Sequence, residues 1–186
     1  MPGRLVILDR DGVINYDSAE FIKAPDEWVP IAGSLEAIAA LTAAGFTVAV
    51  ATNQSGIARK LIDPPTLEAI HDKMRMLARE AGGEIGRIVF CPHHADDGCA
   101  CRKPAPGLLL ELSRQYGVPL ENVPMIGDSE RDIEAARSVG GRPILVLTGN
   151  GRKTATALAE GGEVPEIFPD LGAAAAALIT EMRGSG

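Results

Sequence analysis

The chain has 186 residues, of which 46% are hydrophobic and 4% aromatic, and its formal net charge at pH 7 is −7. This length suits a sizeable core, so residues 1–186 are expected to form a single domain. The acidic balance argues against a nucleic-acid partner, which would call for a basic surface. Neither an apolar run of membrane-spanning length nor a signal-peptide pattern occurs, so we expect a cytoplasmic protein without a membrane partner.

Short aliphatic runs alternate with segments of helical periodicity along the chain. The runs predict buried strands at residues 5–9, 47–52, 85–90, 123–127 and 143–147, with a short sixth strand at 164–168. The segments between them predict helices at residues 33–44, 65–81, 106–116, 130–139 and 171–182. Glycines stand where four of these helices should end, namely Gly45, Gly82, Gly117 and Gly140. The alternation predicts an α/β fold with a doubly wound, mostly parallel sheet and helices on both faces.

Polar residues capable of chemistry follow the ends of several predicted strands. In open parallel sheets, ligands bind at the carboxyl ends of the strands. These ends carry the segments 9–11, 52–55, 91–103, 127–129 and 148–151. The pattern therefore predicts that the functional residues lie together along the carboxyl edge of the sheet, here called the rim.

Asp9 and Asp11 come directly after the first strand. In an extended chain, residues i and i+2 face the same side, so both carboxylates are expected to point into one pocket while Arg10 points away. With Mg²⁺ beside them, one carboxylate could act as a nucleophile while the other exchanges a proton. An ordinary Asp-x-Asp-Gly turn explains the same residues, so the pair alone leaves both interpretations open.

Further groups on the rim could bind a phosphoryl group. Thr52 is followed by three residues with amides or a hydroxyl that suit phosphate oxygens, namely Asn53, Gln54 and Ser55, although a capped turn would also explain them. Arg102 and Lys103 are adjacent cations that could hold anionic groups or could be simply solvated. Asp128 could supply a third oxygen ligand to Mg²⁺. Asp132 could orient neighbouring side chains, or it could simply interact favourably with the dipole of the helix that it begins.

All three cysteines of the chain, Cys91, Cys99 and Cys101, lie within eleven residues. Together with His93 they could close a tetrahedral Cys₃His zinc site, which would be structural because all four positions are filled. His93 fits the ligand spacing better than His94. Such a zinc-bound loop would stiffen the segment that presents Arg102 and Lys103.

The order of these motifs resembles the haloacid dehalogenase superfamily of phosphohydrolases. The matching residues are Asp9-x-Asp11-Gly12, Thr52-Asn53, Lys103 and Gly127-Asp128 with Asp132. The resemblance implies that Asp9 attacks phosphorus and that Asp11 acts as general acid and then general base. It also implies a catalytic Mg²⁺ held by the carboxylates of Asp9 and Asp128 and the backbone carbonyl of Asp11, with Thr52 and Lys103 on the phosphoryl oxygens.

The cysteine loop narrows the resemblance to a branch that contains sugar-bisphosphate and histidinol-phosphate phosphatases. The favoured implication is removal of the 7-phosphate from a heptose 1,7-bisphosphate during lipopolysaccharide precursor synthesis. The alternative is histidinol-phosphate hydrolysis in histidine biosynthesis. A segment after the first motif would line the substrate, namely Asp17, Ser18, Ala19 and Glu20, and Arg102 would contact its second phosphate.

The spacing of the motifs limits the size of the substrate. Forty residues separate Asp11 from Thr52, and fifty separate Thr52 from Lys103. The predicted helices, a strand and the cysteine loop fill both intervals, so no cap domain is expected. We therefore expect a monomer that acts on a small phosphorylated sugar. His71, within the second predicted helix, is expected to be a surface or core histidine.

Overall fold

A computed structural model describes residues 4–162 and 164–184. The strands are β1 (Arg4–Leu8), β2 (Phe46–Asn53), β3 (Ile88–Cys91), β4 (Pro124–Gly127), β5 (Arg142–Val146) and β6 (Glu166–Phe168). The helices are α1 (Ser34–Ala43), α2 (Pro64–Glu80), α3 (Gly107–Tyr116), α4 (Glu130–Ser138), α5 (Gly151–Glu160) and α6 (Leu171–Gly184). None of the helices in these ranges is long and apolar enough to cross a bilayer.

The six strands form one sheet in the order β3-β2-β1-β4-β5-β6. Each described pairing is parallel, with β1 between β2 and β4. The order of the strands reverses at β1, and the loops after β1 and β4 diverge there, which opens the crevice where ligands bind in doubly wound sheets. The predicted α/β class is therefore confirmed, and the sheet is parallel throughout its described pairings.

Hydrophobic side chains cover both faces of the sheet. Alternate residues of β1 point to opposite faces, so Val6 and Leu8 join one core while Leu5 and Ile7 join the other. The first core receives helices α1, α2 and α6, and the second receives α3 and α4. This two-sided burial explains why the strand sequences are almost continuously apolar.

The elements follow the predicted order with two differences. Strand β3 begins at Ile88 rather than at residue 85, and the N–H of the preceding Arg87 donates to the Tyr116 hydroxyl (2.8 Å). Helix α5 was not predicted, because it begins at Gly151 directly after Asn150, and both residue types are typical of turns. The four glycines expected at helix ends all have positive φ, between 66° and 88°.

The segments between the motifs hold only short connections and the elements of the main layers. The interval from Asp11 to Thr52 contains a 3₁₀ turn at Pro25–Glu27, α1 and most of β2. The interval from Thr52 to Lys103 contains α2, β3 and a second 3₁₀ turn at Ala95–Asp97. Within the described ranges these intervals add no cap domain above the sheet, as expected.

Helix α3 offers a matched test of core packing. Leu112 is fully buried, whereas Leu110 on the same helix is 43% exposed. We expect Leu112→Ala to lower the free energy of unfolding by about 2–5 kcal/mol, because it removes buried methyl groups and leaves a cavity. Leu110→Ala should change it by less than about 0.5 kcal/mol. Urea denaturation measures both, and equal losses would contradict the packing described for α3.

Candidate active site

Three carboxylates gather where the order of the strands reverses. Asp9 follows β1, Asp128 follows β4, and Asp132 lies in the first turn of α4. Each offers one oxygen, and these oxygens lie within 4.8 Å of one another. Asp132 reaches the group because a capping box fixes it, with the Ser129 N–H (3.1 Å) and hydroxyl (2.7 Å) both donating to Oδ2.

Lys103 lies among these carboxylates and is only 4% exposed. Its ammonium is 2.6 Å from Asp132 Oδ1 and 3.0 Å from Asp9 Oδ1, and it donates to the Ala51 carbonyl at 2.7 Å. Burial alone would lower the pKa of Lys103, but Asp132 and Asp9 outweigh it and raise the pKa. Burial likewise opposes ionisation of Asp132, yet Lys103 keeps the pKa of Asp132 below its usual value.

The ionised forms of the other two carboxyl groups, Asp9 and Asp128, are destabilised. Burial, followed by repulsion from Asp132, raises the pKa of Asp9 well above its ordinary value. Burial also raises the pKa of Asp128 to about 6, against the hydrogen bonds from Asn150 that oppose the shift. A cation would relieve this cost, and carboxylate oxygens are ligands that Mg²⁺ accepts. The donor set therefore fits the expected magnesium ion.

Glycines allow the backbone to approach the Asp128 carboxylate. Gly12 has φ +81° and Gly149 has φ +55°, and a Cβ at either position would overlap the Asp128 side chain. Thr148 donates from its hydroxyl to the Gly12 carbonyl (2.7 Å), which joins the loop after β5 to the loop after β1. The Asn150 N–H donates to Asp128 Oδ2 (2.8 Å). The sequence placed the 148–151 segment on the rim but did not assign Asn150 a role.

Asp11 lies outside the group of three carboxylates, and the expected orientation of Arg10 was wrong. Regular strand geometry ends at Leu8, and the Arg10 carbonyl accepts from the N–H groups of a turn, so the alternation of an extended chain does not apply. The guanidinium instead turns to Asp11, with Nε 3.0 Å from Oδ1 and Nη2 3.1 Å from Oδ2. Asn15 Nδ2 (2.9 Å) and Gln54 Nε2 (2.8 Å) also donate to this carboxylate.

The residues at the end of β2 and directly after it contribute in different ways. Thr52 is buried, and its hydroxyl oxygen accepts from Gln54 Nε2 at 2.9 Å. The amide of Asn53 exchanges two hydrogen bonds of 3.1 Å with the backbone of Lys103. Asn53 therefore orients Lys103, whereas its expected contact with substrate stays a prediction. Ser55 lines a cavity together with Asn53 and Gln54.

A cavity of about 210 Å³ lies over these groups. Its lining includes Asp9, Asp11, Thr52, Lys103, Asp128 and Asp132. The lining also includes three residues that were expected to face the sugar, namely Asp17, Ser18 and Arg102. Ala19 and Glu20 are exposed and do not belong to this lining, so their expected contact with substrate stays a prediction. Burial, with a contribution from Asp11, raises the pKa of Asp17.

The three cysteines and His93 form a second compact group beside the cavity. Cys101 Sγ lies 3.0 Å from Cys91 Sγ and 3.5 Å from Cys99 Sγ, and His93 Nδ1 lies 3.2 Å from Cys101 Sγ. A tetrahedral zinc ion would separate its sulfur ligands by about 3.8 Å, given typical Zn–S bond lengths. These four residues therefore could hold zinc, and the expected choice of His93 over His94 is consistent with this geometry. Arg102 Nη1 lies 3.4 Å from the His93 carbonyl.

Comparisons with known proteins place this geometry in a family. A model of HAD-hydrolase-like proteins matches residues 100–174. D-glycero-beta-D-manno-heptose-1,7-bisphosphate 7-phosphatase of Bordetella bronchiseptica is 54% identical over 96% of this chain and 99% of its own length. The enzyme of that name from Pseudomonas putida is 56% identical over 95% of this chain and 99% of its own.

A solved structure extends the comparison. D,D-heptose 1,7-bisphosphate phosphatase from B. bronchiseptica, complexed with magnesium and phosphate, superposes with a TM-score of 0.90 at 54% identity, covering 96% of this chain and 99% of that one. The chain therefore belongs to the haloacid dehalogenase-like phosphatases. Within that class, its close relatives are the D-glycero-beta-D-manno-heptose-1,7-bisphosphate 7-phosphatases. The resemblance drawn from the motifs is confirmed.

Magnesium binding should depend on pH through Asp128. Because its pKa of about 6 exceeds the ordinary value of 3.8, the metal-free site holds a proton below pH 6 that Mg²⁺ must displace. We expect Mg²⁺ to raise the melting temperature at pH 7.5 and to raise it less at pH 5. Thermal melts with and without Mg²⁺ measure this. Asp128→Asn should reduce the shift at both pH values, because it removes a metal ligand, and an equal shift at both pH values in the parent protein would contradict the assignment.

The group of three cysteines and His93 leads to a prediction of the zinc content of the protein. We expect about one zinc per chain by elemental analysis, because four ligands fill a tetrahedral site. His93→Ala should lower the zinc content and the melting temperature. His94→Ala is the matched control, because His94 Nδ1 faces Asp96 (3.2 Å) rather than the cysteines. Equal zinc loss in both variants would contradict the proposed ligand set.

Proposed function

We propose that the chain is a Mg²⁺-dependent phosphatase that removes the 7-phosphate of D-glycero-D-manno-heptose 1,7-bisphosphate in lipopolysaccharide heptose precursor synthesis. The observation that carries this proposal is the placement of Asp9 at the end of β1 beside the buried ammonium of Lys103 (3.0 Å). This arrangement holds a carboxylate nucleophile next to a cation that can receive phosphoryl oxygens. The names of the close relatives supply the substrate.

Asp9 attacks phosphorus, and the bond between phosphorus and the leaving alcohol oxygen breaks to give an aspartyl-phosphate. Asp11, in its carboxylic acid form, donates a proton to that oxygen and becomes the carboxylate. Asp11 then removes a proton from the water that hydrolyses the aspartyl-phosphate, which restores Asp9 and releases phosphate. Asp9, Asp128 and the Asp11 carbonyl would hold a magnesium ion, which when bound would supply positive charge beside the phosphoryl group.

Thr52 and Lys103 receive the phosphoryl oxygens in this mechanism. The Thr52 hydroxyl oxygen already accepts a hydrogen bond from Gln54, so its own proton is available for a phosphoryl oxygen. Lys103 is held charged by its two carboxylates, which lets it offset the charge that develops in the transition state. Structural zinc would fix the loop that carries Lys103.

The rest of the sugar would occupy the part of the cavity that the phosphoryl group leaves free. Asp17, Ser18 and Arg102 line the cavity, and the charge of Arg102 suits the second phosphate. A cavity of about 210 Å³ accommodates only a small metabolite. The relatives' names favour the heptose bisphosphate over the alternative of histidinol phosphate.

We also infer that the protein acts as a monomer in the cytoplasm. The cysteines lie together as ligand-type thiols and are not paired in disulfides, which suits a reducing compartment. The acidic net charge of −7 supports the absence of a nucleic-acid partner.

Substrate preference is tested by phosphate release in the presence of Mg²⁺. We expect kcat/KM for heptose 1,7-bisphosphate to exceed that for histidinol phosphate by at least about a hundredfold, or about 2.7 kcal/mol of transition-state discrimination. Asp9→Asn should reduce release of phosphate to background, because it removes the nucleophile. A preference for histidinol phosphate would reassign the substrate, whereas release that is independent of Asp9 would refute the mechanism.

A further inference from the structure

The side chain of Arg10 is buried although it follows the nucleophile directly. It is 1% exposed, and a buried guanidinium is stable only when it is paired. Its Nε and Nη2 groups donate to the two oxygens of Asp11, at 3.0 and 3.1 Å. Its Nη1 group lies 3.2 Å from Nε2 of His71. The guanidinium therefore connects Asp11 to a histidine sixty residues further along the chain.

His71 occupies the buried face of α2 and is 1% exposed. Burial, together with repulsion from Arg10, lowers the pKa of His71 to about 3, so the ring is neutral at physiological pH. A neutral ring with its proton on Nδ1 accepts at Nε2, which is the atom that faces Arg10. The ring also lies against Phe90 of β3, with centroids 6.1 Å apart.

We propose that His71 is a positioning residue for Asp11: by accepting from Nη1, it fixes the plane of the Arg10 guanidinium that holds the Asp11 carboxylate. The two bonds from Arg10 to Asp11 share one plane, so the orientation of that plane sets the orientation of the carboxylate. His71 contacts the side of the guanidinium that Asp11 leaves open. The inference rests on the proposed role of Asp11 as general acid.

The contacts of Arg10 do more than neutralise its buried charge, because they also link Asp11 to the cavity. The described hydrogen bonds of the Arg10 side chain go to Asp11 and His71, and Asp11 lines the cavity. Gln54 donates both to Asp11 (2.8 Å) and to Thr52 (2.9 Å), which ties the same carboxylate to a phosphate-binding residue. A change in the plane of Arg10 would therefore move the proton donor relative to the bound phosphoryl group.

Leaving-group dependence tests this proposal. Release of a sugar alcohol needs protonation by Asp11, whereas 4-nitrophenolate departs without it, and kcat/KM reports the steps through departure of the leaving group. We expect His71→Leu to lower kcat/KM for heptose 1,7-bisphosphate by about tenfold or more, and for 4-nitrophenyl phosphate by less than about threefold. His71→Gln keeps an acceptor and should restore the sugar activity to within about threefold of the parent.

Two controls separate positioning from stability. Met74→Ala alters the same buried face of α2 without removing a partner of Arg10, so it should change kcat/KM for both substrates in the same proportion. Thermal melts establish that each variant is folded at the assay temperature. Equal losses on both substrates in His71→Leu, or no rescue in His71→Gln, would overturn the positioning role.

Asp11→Asn distinguishes this inference from the proposed function. If Asp11→Asn selectively loses activity on the sugar phosphate while His71→Leu does not, the general acid stands and only the role of His71 is overturned. If Asp11→Asn lowers both activities equally, the general-acid assignment fails, and the inference about His71 fails with it.

Discussion

The active site depends on the ammonium of Lys103, which lies between Asp9 and Asp132. Its distances of 3.0 and 2.6 Å join a loop that follows β3 to carboxylates that follow β1 and begin α4. A buried lysine without these partners would be costly, and the carboxylates without the lysine would repel one another. The ion-pair group therefore holds three separate segments at the one point of the sheet where a crevice opens.

The surrounding residues hold the ion-pair group of Lys103, Asp9 and Asp132 in place. Asn53, at the end of β2, binds the backbone of Lys103, and the cysteine group lies in the loop that precedes Lys103. On the other side, Gly12 and Gly149 leave room for Asp128, where any side chain would collide with its carboxylate. Small residues and polar contacts at the rim thus have the same effect: they allow charged groups such as Lys103 and Asp128 to approach their partners directly.

The sequence predicted the sheet well because burial on both faces leaves a simple signature. Strand β1 is apolar at each of its buried positions, and glycines at positive φ end the helices where expected. The sequence also predicted that the site lies at the rim, because Asp9, Thr52 and Asp128 stand at the ends of apolar runs that read as strands. It could not predict the partner of Arg10, since the contact with His71 depends on how α2 packs across sixty residues. Nor could it identify Asn150, which lies at the start of a helix whose first residues resemble a turn.

The two aspartates after β1 lie in different environments, which suits the two chemical roles proposed for them. Asp9 lies among other carboxylates and a buried ammonium, an environment that suits a metal-bound nucleophile. Asp11 lies two residues away but is surrounded by hydrogen-bond donors from Arg10, Asn15 and Gln54. Different environments are what allow neighbouring carboxyl groups to divide nucleophilic and acid–base work. The turn that ends β1 creates this difference, because it removes Asp11 from the carboxylate group that a straight strand would have placed it in.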